Sequence, residues 1–487
     1  MNYYIGLDLG TSGIKGILVD RLGNVIKSHL EEYNIISIKD GYAEEDPIMW
    51  YNATIKVLLK LSDFKDKENI LGIAISGQMH GLVILDEFDN VIRNSIIWCD
   101  NRTTNEKIEI ENKLGKETLK KITGNDAMAQ FTLAKLLWVK NNEPDNYKKI
   151  NKVMLPKDYI SYMLTKTFYS EYSDTSGMQI LDLANLCYSK ELLDKFDIPL
   201  SFFPKLIKSD DIRGNLTSEL IKITGLKNAK LVGGAGDQAC GAIGSGIINS
   251  NDLLIVLGSS GVVLTPTDNL VLNDSMQSFS SAIYKKYFMM GVTNGCGTSL
   301  KWARDEIFNL DYNKMTELAS KVGAGANNLY YLPYLMGERT PILDNDAKGV
   351  FFGIKNTTSK GEMIRAIMEG VGYSIKDCYN LITDKKDKVI ITGGGAKSIL
   401  YCKIISSMIN KEVIRLENEE GPSLGAAIIA MSALKEYKNI DEAINNVIKY
   451  SSSIKPSKDM VDVYNDGYKI YKKIYNNTKE IFKEIKK

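Results

Sequence analysis

Histidine is almost absent from this chain: two residues in 487, His29 and His80. Histidine-rich metal centres and histidine–carboxylate relays are thereby nearly excluded, so the chemistry must come from carboxylates, backbone amides and a bound ligand. Cysteine is scarce too. The six residues, Cys99, Cys187, Cys240, Cys296, Cys378 and Cys402, show no C-x-x-C spacing. That leaves neither a disulfide framework nor a zinc site, and predicts reduced thiols in a cytoplasmic protein. No apolar run approaches the roughly 18 residues of a membrane span. The opening Met1-Asn2-Tyr3-Tyr4-Ile5 enters a strand pattern directly, without the basic-then-apolar order of a signal peptide. Neither sign of charge is in excess. Sixty-one basic and 60 acidic residues give a formal net charge of +1, which offers no electrostatic case for nucleic acid or an acidic membrane as partner.

What is present suits a globular protein: 44% apolar and 25% charged residues, in a length that predicts two domains of about 240 residues. Residues 3–8, 14–20 and 25–33 read as three strands joined by tight turns, a meander rather than the strand–loop–helix opening of a dinucleotide fold. A helix is predicted next, with Asp46 as cap, Pro47 in its first turn and Trp50, Ala53, Val57, Leu58 and Leu61 on one face. Residues 71–76 read as a buried strand. The second half repeats the plan. Strands are predicted at 253–257 and 262–266 around another tight turn, then at 330–335, 350–353 and 389–392. A long helix is expected over 362–382. The Gly/Asn/Ser-rich stretch 244–252 predicts the boundary, giving domains 1–247 and 248–487. The lysine-rich end reads as an amphipathic closing helix, free to pack on either half, the N-terminal domain included.

Five segments carry chemistry. Gly6-Leu7-Asp8-Leu9-Gly10-Thr11-Ser12-Gly13 ends a strand on an acid and turns through free amides and two hydroxyls. Such a turn can hold phosphate oxygens, and the acid suits Mg²⁺. It also reads as an ordinary hairpin. Gly233-Gly234-Ala235-Gly236-Asp237-Gln238 surrounds one acid with small residues, either a general base or a close helix contact. Gly258-Ser259-Ser260-Gly261 matches the first turn. Thr392-Gly393-Gly394-Gly395 offers a flat backbone surface before a helix start. Gly421-Pro422-Ser423-Leu424-Gly425 fits a small-residue helix crossing another closely.

The order of these five segments resembles the actin-like ATPase superfamily, in which two related domains clamp ATP. Within it, Gly349-Val350-Phe351-Phe352-Gly353 and the run Glu362–Gly370 are similar to the C-terminal signature of the FGGY carbohydrate kinases. Gly77-Gln78-Met79-His80-Gly81, Trp98-Cys99-Asp100-Asn101-Arg102, Leu155-Pro156-Lys157-Asp158-Tyr159 and Gly337-Glu338-Arg339-Thr340-Pro341 resemble the members acting on D-xylulose. The resemblance implies an α/β fold of two ribonuclease-H-like domains, with mixed β-sheets flanked by helices and the active site in the cleft between them. It implies ATP and Mg²⁺ as cofactors, a small sugar as substrate, and a homodimer.

It also implies roles. Asp237 is the catalytic base; Met79, His80 and Gln238 contact the sugar. Asp8 holds the metal through water. Thr11, Ser12, Ser259 and Ser260 line the phosphates, and Gly297, Lys301, Gly394 and Gly395 the nucleotide. Many such members carry Asn where this chain has the longer Gln238. Plainer readings stand beside these. His80 can be a satisfied histidine at a strand end, Trp98 a core residue, and Glu338–Arg339 and Asp100–Arg102 local ion pairs. Another FGGY kinase, for ribulose, gluconate or a polyol, is the neighbouring alternative. A non-catalytic ATP-dependent clamp, which needs no base at Asp237, is the distant one.

Overall fold

The computed structural model describes residues 1–418 and 420–485; Glu419, Lys486 and Lys487 lie outside the described residues. The chain opens as the expected antiparallel meander of β1 (Tyr3–Leu9), β2 (Gly13–Asp20) and β3 (Val25–Glu32). β1 has apolar residues on both faces and is buried, so it is central. β3 alternates exposed and half-buried positions and forms the edge. Helix α1 (Pro47–Ser62) begins where the Asp46 carboxylate accepts the Ile48 backbone N–H, and it buries Trp50, Val57, Leu58 and Leu61. It lies so close to β2 that a Cβ on Gly16 would stand 2.4 Å from Val57 Cγ1. β4 (Ile70–Gly77) returns parallel to β1. After α2 (Pro156–Thr165), β5 (Ile212–Asn215), β6 (Lys230–Val232) and β7 (Ala235–Gly236) complete the first sheet, and α3 (Asp237–Gly244) follows at once. Its order is β5-β6-β4-β1-β2-β3, with β7 also on β4.

The second sheet contains β8 (Asp252–Leu257), β9 (Gly261–Thr267), β10 (Gln277–Ser280) and β11 (Tyr287–Thr293). Helix α4 (Lys360–Tyr379) opens on a capping box between Ser359 and Glu362. β12 (Lys388–Thr392), β13 (Val413–Leu416), α5 (Gly421–Ala433), β14 (Tyr450–Ile454) and α6 (Lys458–Ile485) finish the chain. The order is β10-β11-β9-β8-β12-β13-β14. Two runs of five strands therefore match, β3-β2-β1-β4-β6 and β11-β9-β8-β12-β13. In each, the first two junctions are antiparallel and the next two parallel. This is the repeated ribonuclease-H-like arrangement that the resemblance implies.

The structure settles two placements that the sequence left open. Strands Tyr330–Leu332 and Val350–Phe352 pair only with each other, outside the second sheet. Tyr330–Leu332 lies on α4, where a Cβ on Gly370 would meet the Tyr331 carbonyl oxygen at 2.2 Å. The closing helix α6 does not pack on the N-terminal domain. Its tyrosines bond within the second half: Tyr464 to Glu369 at 2.9 Å, and Tyr471 to Tyr334 at 2.7 Å. The element that crosses over is α5, which rests on β1 and β4 of the first sheet. A Cβ on Gly6 would stand 1.8 Å from the Ser423 carbonyl oxygen, so only glycine admits the helix there. α5 also crosses α3 backbone to backbone through Gly244 and Gly425. One apolar core joins Tyr4 and Ile17 of the first sheet, Ile428 of α5, and Val262 and Leu264 of the second.

Candidate active site

Parallel pairing gathers three strand ends at one edge. Asp8 stands beside Ser76 and Ser76 beside Ala235; one step further, Leu9, Gly77 and Gly236 align. β1, β4 and β7 therefore deliver Asp8, Gln78-Met79-His80 and Asp237-Gln238 to the carboxyl ends of the strands. Open α/β sheets bind their ligands at that edge.

Asp8 Oδ1 accepts the Ser76 hydroxyl at 2.8 Å. Burial raises its pKa to about 6, against the pull of Ser76 and the charge of Lys15. Asp237 is the first residue of α3 and half-buried. Burial, then the negative charge of Asp8, push it up to about 7, although the backbone N–H of Gln238, 2.7 Å from Oδ1, and the Gln238 side chain pull the other way. An ordinary aspartate is a feeble base near neutrality; one raised this far is better matched to accepting a proton there.

Met79 is seated by two glycines. A Cβ on Gly236 would lie 3.0 Å from Met79 Cγ, and one on Gly177 3.0 Å from its Cε. His80 has a left-handed backbone, φ 70°, held by Lys135 Nζ at 2.7 Å and Thr132 Oγ1 at 3.1 Å, both donating to its carbonyl. Its Nδ1 is 2.8 Å from the Gly177 carbonyl, which can only accept, so Nδ1 carries the proton and Nε2 is left as an acceptor. The ring lies against Phe131 at 4.5 Å and against Phe279, from β10 of the second sheet, at 5.9 Å. Burial lowers its pKa to about 3, with Lys135 and Arg339 acting in the same direction, and keeps the ring neutral. His80 is thus the satisfied histidine of the plainer reading and also presents a free ring nitrogen.

The hairpin 10–13 closes with Gly10 N–H on the Gly13 carbonyl at 3.0 Å. The Thr11 hydroxyl turns inward. It donates to Gln78 Oε1 at 3.3 Å and accepts Trp98 Nε1 at 2.8 Å. Ser12 and Ser259 are exposed and Ser260 half-buried, and none of these hydroxyls has a protein hydrogen bond. Gly297 closes the second hairpin: its N–H donates to Gly258 O at 2.8 Å, and a Cβ there would meet that oxygen at 2.6 Å. The Lys301 ammonium pairs with Asp305 at 2.8 Å, one turn along an exposed face. Gly394 is exposed with nothing within 4 Å of its Cβ position, whereas a Cβ on Gly395 would stand 2.8 Å from Leu257 Cβ.

Among the described residues, no cluster of three or more His, Cys, Asp or Glu could hold a metal. Asp8, with Oδ2 free of any protein hydrogen bond, nevertheless fits Mg²⁺, which takes one or two carboxylates and fills its shell with phosphate oxygens and water.

Several local readings change. Trp98 is 39% exposed and bonded to Thr11, so it is not core. Glu338 does not pair with the Arg339 guanidinium. Its oxygens accept Thr293 at 2.6 Å, the backbone N–H of Asn294 at 2.8 Å, Ser374 and the backbone of Arg339. Asp100 and Arg102 do pair, through Nη2–Oδ2 at 2.7 Å. Sequence reasoning missed Phe131 and Phe279, and it missed the buried cluster beneath the site. There Lys157 Nζ lies 3.0 Å from Asp158, and 3.4 Å from both Glu171 and Asp174. Only their polarity inside apolar runs hinted at burial.

Two mixed sheets of one topology, joined by a crossing helix, define the actin-like ATPase fold. The chain belongs to the FGGY family of carbohydrate kinases: the family's N-terminal domain matches residues 3–244 and its C-terminal domain residues 253–434. A xylulose kinase of Staphylococcus epidermidis is 38% identical, over 99% of this chain and 98% of that one. The ligand-bound xylulose kinase of Lactobacillus acidophilus superposes with a TM-score of 0.94 at 28% identity, covering all of both chains. A gluconate kinase from Lactobacillus acidophilus superposes at 0.93 and 28%, covering 99% of each. No helix among the described residues is long and apolar enough to cross a membrane.

Proposed function

We propose that this carbohydrate kinase transfers the γ-phosphoryl group of ATP to the terminal hydroxyl of D-xylulose, giving ADP and D-xylulose 5-phosphate. The observation that carries the reading is the placement of Asp237. Its raised carboxyl stands beside Asp8 and next to the residue against which Met79 packs. In this reading residues 1–247 supply the acceptor site and base, and residues 248–487 the nucleotide site. Asp237 orients the hydroxyl and takes its proton as the oxygen–phosphorus bond forms and the bond to ADP breaks. His80 Nε2 accepts a sugar hydroxyl, with Met79 and Gln238 at its sides. The amides of the two hairpins, with Ser12, Ser259 and Ser260, hold the phosphates, and the open face of Gly394 receives the adenosine. Asp8 would hold Mg²⁺, which would neutralise charge at the phosphates.

The gluconate kinase neighbour supports a second reading, with gluconate as the acceptor. A panel of D-xylulose, D-ribulose, L-ribulose, glycerol and gluconate, followed by ADP release and product isolation, separates the two. D-xylulose is expected to have the largest kcat/KM. A larger value for gluconate replaces the first reading with the second.

A further inference from the structure

Three consecutive acids precede α1, and they do different things. Asp46 caps the helix. Glu44 forms ion pairs with Arg93 and Arg102. Glu45 is wholly buried and, among the described residues, has no cation at ion-pair distance. Its Oε2 accepts two hydrogen bonds, from Trp50 Nε1 at 2.7 Å and Gln78 Nε2 at 2.8 Å, while Oε1 is buried without a partner. A buried unpaired oxygen is costly, and apolar packing would fill the space more cheaply, so its presence asks for a role.

Glu45 decides which way round the Gln78 amide stands. With Nε2 committed to the carboxylate, Oε1 faces the hairpin and accepts the Thr11 hydroxyl at 3.3 Å. Thr11 Oγ1 in turn accepts Trp98 Nε1. The Gln78 backbone N–H donates to Leu9 O at 2.8 Å, which ties the same residue to the end of β1. Gln78 therefore touches the phosphate-facing hairpin with its side chain, and it directly precedes Met79 and His80 in the chain. Nothing in the transfer chemistry proposed above uses Glu45.

We propose that Glu45 is a positioning residue that, by orienting Gln78, makes the setting of the phosphate hairpin depend on that of the acceptor segment. The inference rests on the functional reading of those two segments. A sugar that shifts Met79 and His80 moves Gln78, and Gln78 moves Thr11. Without the carboxylate the amide is free to turn over, and the two segments settle independently. ATP is then held for attack by water, giving ADP and phosphate, as readily as for attack by the sugar.

The test measures ADP and sugar phosphate separately in wild type, Glu45→Leu, Glu45→Gln, Thr11→Val and the Glu45→Leu/Thr11→Val double variant. Loss of one buried hydrogen-bonded orientation predicts about a tenfold rise in acceptor KM and in the ratio of ADP to sugar phosphate for Glu45→Leu. Glu45→Gln, whose amide oxygen can accept both bonds, is expected within about threefold of wild type. The double variant should be no more uncoupled than Thr11→Val, because both lesions cut one path. Wild-type coupling and acceptor KM in Glu45→Leu, or multiplied effects in the double variant, overturn the inference. If Glu45→Leu does not fold, Thr11→Val beside Glu45→Gln decides: uncoupling in the first and not the second supports it, and wild-type coupling in the first overturns it. A wild-type enzyme that phosphorylates none of the sugars would instead overturn the functional reading, and this inference with it.

Discussion

Asp8 and Asp237 flank the end of β4, and the charge of the first helps to hold the carboxyl of the second at about 7. Burial is the larger cause, and both carboxyls are raised above the ordinary range. The sign for activity is definite. The proton-accepting form of Asp237 is populated above about pH 7 and lost below it. We expect kcat/KM for the acceptor to fall as the pH drops through that value. In Asp8→Asn, whatever activity remains should keep an acid limb displaced to lower pH, because one raising charge is gone. A pH–rate profile from 5.5 to 9 checks both. A limb that stays in place shows the two groups to be independent.

The same shift has a sign for stability. An Asp237 raised in the native state keeps its proton while the unfolded chain has lost it, so its contribution is fully present below about pH 4 and is lost as pH rises through 7. Asp237→Asn, which buries no charge, should melt at least as high as wild type at pH 8, with the gap closing towards pH 5. Thermal melts across that range check it; a variant markedly less stable at pH 8 contradicts it.

His80 presents a neutral Nε2, which can accept a hydrogen bond and adds no titration of its own near neutrality. His80→Leu should raise acceptor KM by about tenfold or more, the cost of leaving a sugar hydroxyl unpaired, and leave the KM for ATP within about twofold. Steady-state kinetics with each substrate varied separates these. Equal loss on both sides would mean that the substitution acts through the fold.

Gly394 and Lys301 make a contrast. Nothing lies within 4 Å of a Cβ on Gly394, whereas the Lys301 ammonium is already held by Asp305. Gly394→Leu should fold normally and raise the KM for ATP by about tenfold by filling the adenosine face, and Lys301→Ala should change it by less than about twofold. The reverse pattern moves the nucleotide away from the triple glycine.

The α3–α5 crossing is a close backbone approach between two helices. A Cβ on Gly425 would lie 1.9 Å from the Cys240 carbonyl oxygen. Gly425→Ala should therefore cost about 1–3 kcal/mol, read as a lower Tm. An unchanged melt would show that the helices separate without cost.

Much of this was legible in the sequence because it is local. Both glycine hairpins, the Asp46–Pro47 helix start and the apolar stripe of the long helix announce themselves within a few residues. The repeat of the two halves was legible from order alone. What was not legible is long-range. That α5 leaves its own half to lie on β1 depends on Gly6 meeting Ser423, more than 400 positions away. That Thr11 spends its hydroxyl on Gln78 and Trp98 follows from register across separate elements. Glu338 and Arg339, adjacent and opposite in charge, look like a pair. They are not one, because the hydroxyls and amides around Glu338 satisfy its oxygens first.

The most direct measurement is single-turnover transfer from ATP to D-xylulose by Asp237→Asn, alongside a melt and an ATP-binding titration. The account predicts a folded variant that binds ATP as wild type does and forms sugar phosphate at least about a thousandfold more slowly. Transfer within tenfold of wild type in a folded, ATP-binding variant would contradict it.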